Sequence, residues 1–168
     1  TASEYPRGST LPEVFSQVVA RYGDKVAVEF GDSKLTYHQL DERANQLAWH
    51  LRALGVSTDS RVALAMERSL ELIVSLVAIL KAGGAYVPLD PSYPAERLLF
   101  MARDTRLPVL LVQPEQEEKL AALEARVVVL EPSWHPFARE STQAPRIHVP
   151  AEALAYVTKF MTEAISSG

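Results

Sequence analysis

Residues 61–89, RVALAMERSLELIVSLVAILKAGGAYVPL, settle the topology. RVALAM is a short, nearly uninterrupted apolar run, as expected of a strand buried on both faces. Ser69 then offers a helix cap, and Ser69 to Ala82 is apolar almost all round, which predicts a central helix. Gly83-Gly84 stops it, and AYVPL resumes as a second short strand. Strand, buried helix, strand without a hairpin signal is a crossover unit, which needs parallel strands.

The same alternation continues downstream. Pro94 opens a helix at its first position, running to Asp104. PVLLV is a strand, Glu115 to Glu124 a helix and RVVVL another strand. The order from Arg61 is therefore β-α-β-α-β-α-β, which predicts an α/β fold: a parallel sheet flanked by helices on both faces, joined by right-handed crossovers. Upstream, Thr10 to Tyr22 is helical, with Leu11, Val14, Val18 and Val19 on one face and Gly23 as its stop. VAVEF and KLTY flank Gly-Asp-Ser and form a hairpin. Thr36 to Gly55 is the clearest helix: Thr36 and Gln39 make a capping box, and Leu40, Ala44, Leu47, Ala48, Leu51 and Leu54 line one face. Asp41, Glu42, Arg43, Gln46 and Arg52 are assigned to the solvent side. Residues 131–150, with prolines at 132, 136, 145 and 150, read as surface loop, and LAYV (154–157) as one last strand.

Composition narrows the function. The 168 residues are 48 % apolar and 23 % charged, enough for one domain with a core. A net charge of −4 argues against a nucleic-acid partner, which needs a basic face. There is no cysteine, so disulfides and thiolate chemistry are absent, consistent with the cytoplasm. TASEYPRGST lacks the basic and apolar segments of a signal peptide, and the most apolar run carries Glu71 and Lys81, so no membrane partner is expected.

Candidate chemistry is sparse. His38, His50, His135 and His148 show no ligand spacing, so solvated or capping roles fit them better than a metal site. Glu115, Glu117 and Glu118 suit a solvated helix start. No Gly-x-Ser-x-Gly elbow exists. Trp49 and Trp134 read as single exposed aromatics, open to partner contact but weak as a signal. Gly83-Gly84 follows a helix rather than a strand and reads as a helix stop, not a phosphate cradle. The chain ends LAYVTKFMTEAISSG, a strand followed by a stretch whose only glycine is the last residue. Phe160, Met161, Ala164 and Ile165 suit an amphipathic helix instead, and no phosphate loop can be built on that pattern. No catalytic, cofactor-binding or metal residue is assigned.

Two stretches carry a family resemblance. LTYHQLDERANQLAWHLRALGV (35–56) and LKAGGAYVPLDPSYPAERLLFMARD (80–104) resemble the first two core motifs of the amino-acid adenylation domains of nonribosomal peptide synthetases. Leu35, Thr36, Tyr37 and Leu40 match the first, with Gln39 in place of Glu; residues 80–90 match the second throughout. The resemblance spans roughly residues 10–157. It implies the N-terminal subdomain of the adenylate-forming fold, and, for a complete domain, activation of an amino acid by ATP and magnesium as an aminoacyl-adenylate for a carrier protein. After LAYV the family continues into a Ser/Thr/Gly-rich phosphate-binding loop, and here the match is lost from Thr158 or Lys159. The expectation is therefore a partial adenylation domain, residues 1–157, inactive alone, with 158–168 a junction or tail or the start of another domain. Its implied partners are the rest of that domain or neighbouring condensation, tailoring and carrier domains. The alternative is a vestigial, non-catalytic platform for those neighbours.

Overall fold

The computed structural model describes residues 11–58, 60–104, 109–120 and 126–145. The expected strand LAYV, the C-terminal amphipathic stretch and the end of the helix expected over Glu115–Glu124 lie outside them.

A hairpin of β1 (Val26–Phe30) and β2 (Ser33–Thr36) follows α1 (Leu11–Tyr22). Helix α2 (Tyr37–Ala53) leads to the main sheet, whose strands are β3 (Arg61–Ala65), β4 (Ala85–Pro88), β5 (Val109–Val112) and β6 (Arg126–Val129). Helices α3 (Leu70–Lys81), α4 (Ala95–Asp104) and the single turn α5 (Pro114–Glu117) connect them. All pairs are parallel, in the order β4-β3-β5-β6.

Strand alternation divides the core in two. Val62, Leu64, Val109, Leu111 and Val128 pack with α1, α2 and α3. Ala63, Ala65, Leu110 and Val112 face the other way, onto Leu98 of α4 and Leu120. Crossing from β3 to β4 runs opposite to crossing from β4 to β5, so crossovers of one hand put α3 and α4 on opposite faces.

Both predicted caps form. Thr36 N–H donates to Gln39 Oε1 (2.9 Å) and Gln39 N–H to Thr36 Oγ1 (3.2 Å). The Ser69 cap of α3 accepts from Leu72 N–H (3.2 Å). Helix α2 ends in a Schellman motif: Gly55 N–H reaches Arg52 O and Val56 N–H reaches Leu51 O, with Gly55 at φ 98°.

The LKAGGAYV stretch acquires a physical reading residue by residue. Leu80 and Ala82 are core. Lys81 is 1 % exposed and its Nζ lies 2.9 Å from Asp41 Oδ1 on α2, and 5.0 Å from the Phe15 ring centre on α1. Gly83 takes φ 93° to close a second Schellman turn, bonding Leu80 O while Gly84 bonds Ile79 O. A Cβ on Gly84 would sit 3.1 Å from both Ser60 O and Val56 Cγ1, so the strand could not start so close. The motif is a packing device at the amino ends of the strands.

Three expectations are corrected. Asp41 and Gln46, assigned to the solvent side, face inward: Asp41 pairs with Lys81, and Gln46 is buried. The helix over Glu115–Glu124 is cut short: α5 ends at Glu117 and a 3-10 turn covers Glu118–Leu120. Residues 131–145 are not simply surface loop. They form a strap across α2, with Trp134 and Phe137 buried in the core. Three α2 side chains hold its backbone: Asn45 Nδ2 donates to Thr142 O (2.7 Å), Trp49 Nε1 to Gln143 O (2.6 Å), and Gln46 Nε2 to Glu140 O (3.4 Å) and Ala138 O (3.5 Å). Trp134 Nε1 donates to Gln46 Oε1 (2.9 Å), and Trp134 adopts φ 59°. Neither tryptophan is the lone exposed aromatic expected from the sequence.

Candidate functional site at the carboxyl ends of the strands

Open parallel sheets bind ligands outside the carboxyl ends of their strands, where the strand order reverses. Here that point lies between β3 and β5. Its loops are tied together. Gln113, just after β5, accepts from Glu67 N–H (2.9 Å) and donates to Ser69 Oγ (3.2 Å). Ser69 Oγ also donates to Glu67 O (3.1 Å), besides capping α3. A hydroxyl has one donor and two acceptor positions, so Ser69 is fully used. A Gln113→Ala variant is expected to lose about 1 kcal/mol, since both bonds are neutral and partly solvated. Urea denaturation checks this, and an unchanged midpoint would show that Gln113 does not latch these loops.

The β4–α4 turn is equally self-contained. Asp90 Oδ1 accepts from Ser92 N–H (2.9 Å) and Ser92 Oγ–H (2.7 Å). These bonds, the hydroxyl first, hold the Asp90 carboxyl below the usual aspartate range, helped by the charges of Lys119 and Arg97. Lys119 Nζ donates to Pro91 O (2.8 Å), and the Arg97 guanidinium lies 4.0 Å from the Tyr93 ring centre. DPSYPAER is thus a locked turn.

Two hollows open at this end. A half-open cleft of about 420 Å³ is mostly apolar, between α3, β4 and α4. A second, of about 550 Å³, mixes both signs: Lys34, Arg43 and Arg68 with Asp32 and Glu71. Gly83-Gly84 sits at the opposite end of the sheet. His38 packs against Gly23, where a Cβ would run into its ring. His50 lies edge-on to Phe137, with Nδ1 3.7 Å from Glu140 Oε1. Among the described residues no three His, Cys, Asp or Glu side chains gather as a metal site. No helix there is long and apolar enough to cross a membrane.

The AMP-binding enzyme family matches residues 15–158. The chain belongs to that family. It is 44 % identical over 157 residues to tyrocidine synthase 2 of Brevibacillus parabrevis, covering 94 % of this chain and 4 % of that protein. With bacitracin synthase 2 of Bacillus licheniformis the identity is 39 % over 152 residues, 90 % of this chain and 6 % of the relative. The chain thus spans a small fraction of the curated relatives it matches. Among solved structures, the nonribosomal peptide synthetase FmoA3 bound to α-methyl-L-serine-AMP superimposes with a TM-score of 0.75 at 29 % identity, over 84 % of this chain and 16 % of that one. The anthranilate CoA ligase AuaEII, bound to anthranoyl-AMP, shares the fold at TM-score 0.76 and 23 % identity, over 91 % of this chain and 31 % of that one.

Among the described residues, the groups named at the reversal point and the β4–α4 turn are already paired. The Glu67 and Leu72 amides at the reversal point are taken by Gln113 and Ser69, and the Asp90 oxygen Oδ1 by Ser92. No nucleotide chemistry is therefore derived from these residues.

Proposed function

We propose that this chain is a part, inactive alone, of an amino-acid-activating adenylation unit in a nonribosomal peptide synthetase. Residues 1–157 form that part, and residues 158–168 are a junction or tail, or the start of another domain. The complete unit, in the cytoplasm, uses ATP and magnesium to make an aminoacyl-adenylate for a carrier protein. Its neighbours are the rest of the adenylation unit and condensation, tailoring or carrier domains. The observation that carries this reading is the 44 % identity with tyrocidine synthase 2 along 94 % of the chain. The self-satisfied reversal point supports inactivity: transfer of a phosphoryl or adenylyl group needs donors aimed at the developing charge.

The half-exposed apolar cleft also favours a second reading, a non-catalytic platform for neighbouring domains. Amino-acid-dependent exchange of pyrophosphate into ATP separates the two. The chain alone is expected to be silent. Fused to the sequence that follows the matched segment in tyrocidine synthase 2, it regains exchange if it is a functional part. It stays silent if it is only a platform.

A further inference from the structure

The join between β6 and the strap is short and closes on a strained residue. Leu130, just past β6, is buried, and Trp134 is buried again in the core. Only Glu131, Pro132 and Ser133 lie between them, all exposed. Trp134 N–H donates to Glu131 O (3.0 Å), which folds the join into a single turn. Trp134 stands at φ 59°, the one positive φ outside glycine among the described residues. A bulky side chain is strained there, and such a conformation persists only where its surroundings enforce it. The indole supplies that enforcement. Its Nε1 donates to Gln46 Oε1 (2.9 Å), and its ring centre lies 4.9 Å from that of Phe137 and 5.7 Å from the Arg43 guanidinium carbon.

The hold of the strap on α2 is separable from that turn. Beyond Trp134 the strap is fixed by Phe137 in the core and by bonds from Asn45, Gln46 and Trp49 to the carbonyls of Ala138, Glu140, Thr142 and Gln143. None of these bonds runs to residues 131–133. They read backbone carbonyls and two aromatic anchors, which a second copy of the chain presents identically.

We propose that residues 131–133 are a hinge through which two copies of this chain exchange straps, each docking on α2 of the other. Every α2–strap bond is kept in the exchange, and only the hinge differs. Opened, it releases Trp134 from the left-handed region, and short hinges under strain invite such swapping. Pro132 favours the open form, because proline biases the residue before it, Glu131, towards an extended backbone. Association opposes the exchange through lost translational and rotational freedom, so the dimer requires high protein concentration. Undocking Trp134 and Phe137 is the barrier, so the two forms interconvert slowly. The inference goes beyond the functional reading above and does not depend on it.

The test unfolds the chain in urea, refolds it over a series of rising protein concentrations, and weighs the products by size exclusion with light scattering. A dimer is expected whose share grows with the refolding concentration. It should persist on dilution and revert to monomer only after renewed unfolding. Inserting two glycines between Pro132 and Ser133 lets the strap dock on its own α2 without the tight turn. The dimer share should then fall about tenfold, the equivalent of relieving one strained residue. Pro132→Gly, at an exposed position that does not threaten the fold, is expected to lower it less. Arg139→Ser, exposed on the strap outside the hinge, should leave it unchanged. A chain that stays monomeric at every refolding concentration would overturn the proposal. A dimer that both hinge variants leave unchanged, or that dissociates at once on dilution, is ordinary surface association and would overturn it equally.

Discussion

An Asp41→Ala variant is expected to lose about 3–5 kcal/mol of stability, the usual cost of stranding a buried charge. The Lys81 ammonium is 1 % exposed and sits 2.9 Å from Asp41, whose side chain is 22 % exposed. Removing the carboxylate leaves the cation buried among α1, α2 and α3, beside the Phe15 ring. The converse change behaves differently. Lys81→Met keeps the stem's packing, and the remaining Asp41 can reach solvent, so its effect should lie within about 1 kcal/mol of zero, as for apolar replacements of buried ion pairs. The double variant should therefore recover most of the loss. Urea denaturation of the three variants measures it. If Asp41→Ala costs under about 1 kcal/mol, or Lys81→Met gives no recovery, the pair does not join the helices as described.

Phe137→Ala is the second large effect, expected at about 3–5 kcal/mol, the range for emptying a buried phenylalanine site. Phe137 is 1 % exposed, with its ring centre 4.9 Å from that of Trp134 and 5.2 Å from that of His50. The deletion removes packing from the core beneath the strap and loosens the Trp134–Gln46 bond beside it. Were residues 131–145 a solvated loop, the same substitution would cost under about 0.5 kcal/mol. Equilibrium unfolding distinguishes these outcomes without ambiguity of scale.

That contrast marks where the sequence could and could not be read. Periodicity located the six strands among the described residues and the helices from α1 to α4, most of which bury a stripe or a run of apolar side chains. Thr36 with Gln39, Ser69, Gly55 and Gly83 act through local backbone geometry, which sequence spacing reports directly. The strap is different. Its prolines signal irregular backbone, and nothing local says that Trp134 and Phe137 will dock on a helix far back in the chain, as the 88-residue gap from Gln46 to Trp134 shows. Gln46 misled for the same reason: an amide counts as polar until a distant indole and two carbonyls saturate it. Lys81 and Asp41 are 40 positions apart, so their pairing was equally invisible.

The candidate site followed the same division. Gly83-Gly84 was legible as a helix stop, and the structure gives each glycine its own reason, a left-handed turn and a close approach to Ser60. Gln113 was not legible. A single glutamine after a strand carries no pattern, yet it spans the point where this topology would otherwise receive a ligand. The identity of the family came from the motifs at residues 35–40 and 80–90, whose described side chains serve caps, turns and packing.

Whether the chain holds a nucleotide by itself is decided by calorimetric titration with ATP, with and without magnesium and a mixture of amino acids. No binding heat is expected under any of these conditions, because the Glu67 and Leu72 amides and the Asp90 oxygen Oδ1 at the strand ends are already paired. Saturable binding in the micromolar range would contradict this, and would mean that the chain binds a nucleotide without the rest of an adenylation unit.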